Sequence, residues 1–174
     1  MRGSSLISAV EGVLLQGCTL LKGIDNEAYT LKEKGPDGAS IGAHYRHVLD
    51  HFLCLINGLW DGEINYDRRA RSQELEGSVK AALNATKDLI EAFRTLPAPV
   101  LQQECTVIYS VGYGEAEAHA VRSVVAREVM FCVGHAIHHY AILKLLCAER
   151  AVALPYEFGI APSTLKHLET QATH

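Results

Sequence analysis

The segment GHAIHHYAILKLL, residues 134–146, constrains this chain more than any other stretch. It reads as an apolar helix, yet it sets His135 and His139 one turn apart in the middle of its inward stripe. The same face carries Phe131, Cys132, Ile142, Leu143 and Leu146. Any fold that buries this stripe must also satisfy two imidazoles. Either they are core histidines bonded to carbonyls or water, or they converge on one metal ion, since a spacing of four residues is a rise of about 6 Å.

A second cluster bears on that choice. In SIGAHYRHVLDHFLCL, residues 40–55, His44, His47 and His51 follow the spacing i, i+3, i+7 along one edge of another helix, beside an apolar face of Ile41, Val48, Phe52, Leu55 and Leu59. His44 and His51 are separated by roughly 10 Å of rise and cannot both ligate one ion on a straight helix. The workable pairs are His44 with His47, or His47 with His51, and His47 is common to both. Solvation at the surface is the alternative for His44, and His51 stands between ligand and polar core residue. Helices with inward histidines can converge only if they pack side by side, as in a helical bundle.

The rest of the chain can build one. A length of 174 residues with 48% hydrophobic content suits a single domain over residues 1–174, with a core that needs no disulfide. Helical spacing predicts a first helix over 4–22, a second from an N-cap at Ser40 to about Trp60, a third from Leu75 to before Pro97, and a fourth capped by Ser123 and running to about Arg150. Between Glu104 and Arg122, alternation at Cys105, Val107, Tyr109 and Val111, turn glycines and a return segment AEAHAV predict a short β-hairpin. The tail, with two prolines and a glycine, reads as an extended strap before a short last helix starting at Ser163. The expected fold class is all-α, a four-helix bundle with a short hairpin before the last long helix.

Charge and cysteine usage narrow the partners. A net charge of −4 from 16 basic and 20 acidic residues, with Arg68, Arg69 and Arg71 as the one dense basic patch, argues against nucleic acid. Cys18, Cys54, Cys105, Cys132 and Cys147 are odd in number and form no CxxC pair, which favours reduced thiols in the cytoplasm. The run from Leu6 to Leu21 is broken by Glu11, Gln16 and two glycines. It reads as a bundle helix, and no segment is expected to span a membrane.

SIGAHYRHVLDHF followed nearly ninety residues later by GHAIHHYAIL resembles the DinB/YfiT-like family of metalloenzymes over most of the chain. The resemblance implies a four-helix bundle in which one histidine of the second helix and an HxxxH pair of a later helix bind a divalent metal, zinc or nickel first. Carried over by position, these are His47, His135 and His139. Family members often have a glycine soon after the last histidine, where this chain has Ala141. The resemblance further implies a small-molecule substrate, a homodimer, and either transfer of a low-molecular-weight thiol or hydrolysis.

Three neutral imidazoles leave a divalent ion at least one open position, which suits catalysis more than a closed structural site. His51 is the candidate fourth ligand, and its binding would close the site. Asp50 is a candidate for orienting an imidazole, Glu128 for a base or a partner of Arg46 or Arg127, and Cys132 for a further ligand or a buried hydrophobe. His138 falls at the edge of the stripe. The YDRRAR segment and residues Tyr113 to Glu117 are candidates for holding an anionic substrate at the bundle mouth. The competing class is a non-catalytic module in which a metal stabilises the bundle or is sensed by it. In a further reading the histidines form a core hydrogen-bond network with no metal.

Overall fold

The computed structural model describes residues 2–33, 38–112 and 118–172. In chain order these form α1 (Arg2–Lys22), α2 (Asn26–Thr30), α3 (Ile41–Gly58), β1 (Glu63–Asn65), α4 (Gln73–Gly77), α5 (Val79–Arg94), a 3-10 turn at Ala98–Gln102, β2 (Glu104–Tyr109), β3 (His119–Val124), α6 (Val125–Glu149) and α7 (Pro162–Ala172). The protein is mostly helical with one small sheet. Each of α1 and α3 packs against both α5 and α6.

Local chemistry sets most of the boundaries. Ser40 caps α3 by accepting a 3.0 Å bond from Ala43 N. The third predicted helix is broken in two at Ser78, whose hydroxyl accepts from Ala81 N at 3.2 Å and starts α5 afresh. Asn26 brackets that break, donating to Gly77 O and accepting from Val79 N, both at 3.0 Å. Asp25 and Asn26, which read as stop signals for α1, also open α2, with Ala28 N donating to Asp25 Oδ1 at 2.8 Å.

The predicted hairpin forms. β2 and β3 are antiparallel, with Val107 opposite Val121, and β3 runs directly into α6. The expected cap at Ser123 does not form. Val124 holds the cap position without a side-chain bond, and Ser123 Oγ donates instead to Glu128 Oε1 at 2.5 Å. Sequence periodicity gives no sign of β1, which is too short to show a period, but it adds parallel to β2 with Ile64 opposite Val107. The all-α expectation is therefore corrected to a helical protein with a three-stranded sheet.

One layer of the core ties all four long helices together. The rings of Tyr45 on α3 and Tyr140 on α6 stack with centroids 6.3 Å apart. Tyr45 OH and Thr86 Oγ1 of α5 share a 2.8 Å bond. Both tyrosine hydroxyls lie over Gly17 of α1, where a Cβ would meet Tyr140 OH at 2.5 Å and Tyr45 OH more closely still. In the tail, Gly159 adopts φ +69° against the backbone of Tyr140 and Ala141, an approach that a Cβ would block at 2.6 Å.

Length and composition alone do not exclude a membrane span here, as the sequence reading had taken them to. Ser5–Lys22 and Val125–Glu149 are each long and apolar enough to cross a bilayer by length and composition, because a few polar interruptions do not offset their leucine, valine and alanine content. In the fold both pack against neighbouring long helices.

The Gly17 layer yields a paired test. Gly17→Ala forces a methyl into the two tyrosine hydroxyls and should cost about 1–3 kcal/mol by overpacking. Gly12→Ala, on the open face of the same helix with nothing within 4 Å of its Cβ, should stabilise by up to about 1 kcal/mol through helix propensity. Urea denaturation of both variants checks the opposite signs.

Candidate metal centre

α3 and α6 lie side by side, and this contact brings the two histidine motifs together. The turn of α3 that buries Tyr45 and Val48 places His44 and His47 towards α6. The turns of α6 that bury Cys132, Ala136 and Tyr140 place His135 and His139 towards α3. Ligand atoms of His47, His135 and His139 all lie within 4.8 Å of one another. His47 Nε2 and His135 Nε2 face each other at 3.0 Å.

All three rings are held in the neutral form. Burial first, then the repulsion that a protonated ring would meet from His51, His139, Arg69 and His135, lowers His47 to about 2. His135 is lowered to about 3 by burial and then mainly by His51 and His139. His139 is lowered to about 4 by burial and then by His44, His138 and His51. A metal ligand must offer a lone pair, so three half-buried neutral imidazoles from two rigid helices are the donor set that a borderline divalent cation takes.

The surroundings differ from the sequence expectations in several places. His44 is half-buried rather than solvated, and its Nδ1 lies 3.3 Å from His139 Nδ1. His51 is 1% exposed, with its ring 4.0 Å from that of His135 between centroids. Its Nδ1 donates to His47 O at 2.9 Å, which leaves the lone pair on Nε2, and Nε2 has no hydrogen-bond partner among the described residues. His51 is absent from the set whose ligand atoms share the 4.8 Å span. Asp50 orients no imidazole, because its Oδ2 accepts from Arg46 Nη1 at 2.6 Å while Arg46 Nε bonds Glu76 at 3.0 Å. His138 is exposed and meets His139 edge-on.

Glu128 is 1% exposed and fully engaged. It accepts from Tyr66 OH at 3.0 Å, Ser123 Oγ at 2.5 Å and Arg127 Nη1 at 3.1 Å, which supports the Arg127 pairing rather than a free base. Cys132 behaves as a buried thiol. Burial pushes it up to about 12, and its Sγ donates to His51 O at 3.6 Å.

Two residues of the YDRRAR segment, a candidate for holding an anionic substrate at the bundle mouth, instead meet the histidines. Tyr66 follows β1, is buried, and stacks on His51 at 5.4 Å between centroids. Asn65 Oδ1 then accepts from Asp67 N at 3.0 Å and Arg68 N at 3.2 Å, and Asp67 is anchored to Ser110 by two bonds of 2.8 Å. That turn delivers Arg69 Nη1 to 2.6 Å from His47 Nδ1. Arg69 is therefore turned inward onto a histidine. Arg68 instead lines a cleft of about 450 Å³ with Asp50, Asp61 and Glu63, an acidic wall that does not suit an anionic substrate. Residues 113–117, the other candidates for that role, lie outside the described residues.

Comparison with known proteins bears on the fold. No family model matches the chain. A protein of Rhizopus delemar described as FK506-binding protein 5 is 31% identical over 108 residues, which is 62% of this chain and 28% of that protein, so the chain spans little more than a quarter of its relative's length. Among solved structures, a DinB-like protein from Bacillus subtilis superposes with a TM-score of 0.64 at 15% identity, covering 88% of this chain and 98% of the other. A DinB-like protein from Bacillus cereus gives 0.60 at 13% identity, covering 87% and 95%. The chain has the DinB-like fold, as the histidine motifs implied.

The depressed imidazoles give a pH test on metal-free protein. Unfolded histidines take up protons near pH 6.5, whereas the folded cluster does so only at about 2 to 4. In between, the unfolded state binds more protons, so stability should be fully present above about pH 6.5 and decline as the pH falls. Thermal melts between about pH 7 and pH 5 should show this slope. It should be shallower in His47→Gln, and an equal slope in the variant would contradict the assignment.

Proposed function

We propose that the chain is a metal-dependent enzyme of four-helix-bundle architecture in a single domain, with His47, His135 and His139 holding one divalent ion, zinc or nickel. The observation that carries this is the convergence of three neutral imidazoles, from two separate motifs, within 4.8 Å. Bound there, such an ion lowers the pKa of a coordinated water or thiol and supplies a nucleophile at neutral pH. Transfer of a low-molecular-weight thiol is the first reaction class and hydrolysis the second.

The chain's own residues divide the remaining work. His139 Nδ1 lies 3.3 Å from His44 Nδ1, and with its proton on Nδ1 donated to His44 the His139 ring keeps the lone pair of Nε2 for the site. His51 Nε2 keeps a lone pair that can accept a hydrogen bond from a bound molecule. Tyr66 and Phe131 pack on His51 and His135 and also line an apolar pocket of about 210 Å³, which suits the apolar body of a small substrate. The bonds that Glu128 makes hold Tyr66 in that wall.

The same unpartnered His51 Nε2 favours a second reading, in which a fourth imidazole closes the site and the ion serves stability alone.

Metal content by mass spectrometry separates these readings from one with no metal. The untagged parent should carry close to one ion per chain, and His47→Ala and His139→Ala prepared identically should carry almost none. In the enzyme reading His51→Ala retains the ion. Loss of the ion in His51→Ala as well would favour the closed site. A parent without metal after incubation with zinc, nickel or manganese would remove the metal reading.

A further inference from the structure

A histidine that binds a metal through one ring nitrogen ordinarily donates its other N–H to a carboxylate or a carbonyl. His47 has the opposite partner. Arg69 Nη1 lies 2.6 Å from His47 Nδ1, and a guanidinium can only donate. His47 Nδ1 therefore accepts, and in the neutral ring the proton must sit on Nε2, where it is donated across 3.0 Å to His135 Nε2. Both nitrogens of His47 are thus engaged, and neither offers a free lone pair to a cation. A metal can reach His47 at Nε2 only if the ring proton shifts to Nδ1, which turns an N–H against the Arg69 donor. It can reach Nδ1 only by taking the place of the guanidinium. In either case Arg69 must leave.

Two further observations show where it can go. Arg69 Nε is buried and has no hydrogen-bond partner among the described residues. Asp50 is 1% exposed, and although Arg46 holds its Oδ2, its Oδ1 is buried without a partner. An unpaired guanidinium nitrogen and an unpaired carboxylate oxygen buried in one protein are each costly. The two side chains share a neighbourhood. Asp50 is one turn after His47 on α3, and the Cys54 thiol, raised chiefly by burial, is raised further by Asp50 and lowered by Arg69.

We infer that Arg69 and the metal exchange at His47: the guanidinium occupies His47 Nδ1 in the metal-free protein and moves to Asp50 Oδ1 when the ion binds. Arg69 is then a positioning residue that sets metal affinity without ligating the metal. It acts against binding through His47 and, by gaining Asp50, partly restores what it gives up. The inference rests on the three-histidine metal reading.

The test is a double-mutant cycle on zinc affinity, measured by competition with a chromophoric chelator on parent, Arg69→Ala, Asp50→Asn and the double variant, each shown to be folded by circular dichroism. Arg69→Met, which keeps the packed stem, substitutes if Arg69→Ala does not fold. Removing a charged hydrogen bond that opposes binding should tighten zinc by about tenfold or more in the Arg69 variant. Asp50→Asn should weaken zinc severalfold in the parent background and have little effect once Arg69 is gone. Zinc binding that is unchanged or weaker in the Arg69 variant, with a parent that binds, overturns the exchange and leaves the metal site standing. An Asp50 effect equal in both backgrounds overturns the proposed destination. Failure of both parent and Arg69 variant to bind zinc overturns the exchange together with the metal reading, whereas binding by the variant alone supports the exchange in its strongest form.

Discussion

The packing of α3 against α6 is the constraint on which the site depends. Its anchor is the layer where Tyr45 and Tyr140 stack and point their hydroxyls over Gly17, with Thr86 taking up Tyr45 OH from the fourth side. Tyr45 is two residues before His47, and Tyr140 is next to His139. Burying the tyrosines fixes the rotation of both helices about their axes, and that rotation turns the histidines towards each other. A helix that rotated by one residue, about 100°, would carry its histidines off the shared face.

The core layer and the histidine layer are therefore one device with two chemistries. Hydrophobic burial and a shared hydroxyl bond hold the helices in register, and the same register forces imidazoles into a half-buried space where protonation is disfavoured. Packing supplies the rigidity that a ligand set needs, since ligands held on helices keep their geometry better than ligands on loops. The sheet adds a third component. β1 is only three residues long, but it fixes Tyr66 against His51 and starts the turn that carries Arg69 to His47.

How much of this the sequence revealed depends on how local each signal is. The long helices, the Ser40 cap and the hairpin were readable because helical period and residue spacing encode faces directly, whereas spacing alone left several histidine pairings open and the family resemblance singled out the three that the structure brings within 4.8 Å of one another. The break at Ser78 was not readable, because Leu75 and Val79 keep helical spacing across it and the bracket comes from Asn26, 53 residues before Val79. β1 was too short for a period. The inward turn of Arg69 was invisible for a different reason: it is set by Asn65, Asp67 and Ser110, and a cluster of arginines in a loop reads the same whether it faces solvent or a histidine. His44 was misplaced at the surface because its cover comes from α6, 95 residues later.

X-ray absorption at the zinc edge of the loaded protein shows whether His47, His135 and His139 together hold one ion. Their joint ligation gives a shell of nitrogen and oxygen donors at about 2.0–2.1 Å with the multiple-scattering pattern of several imidazoles and no sulfur. A sulfur shell near 2.3 Å, which would bring Cys132 into the site, or a spectrum of hydrated zinc without imidazole scattering, would contradict it.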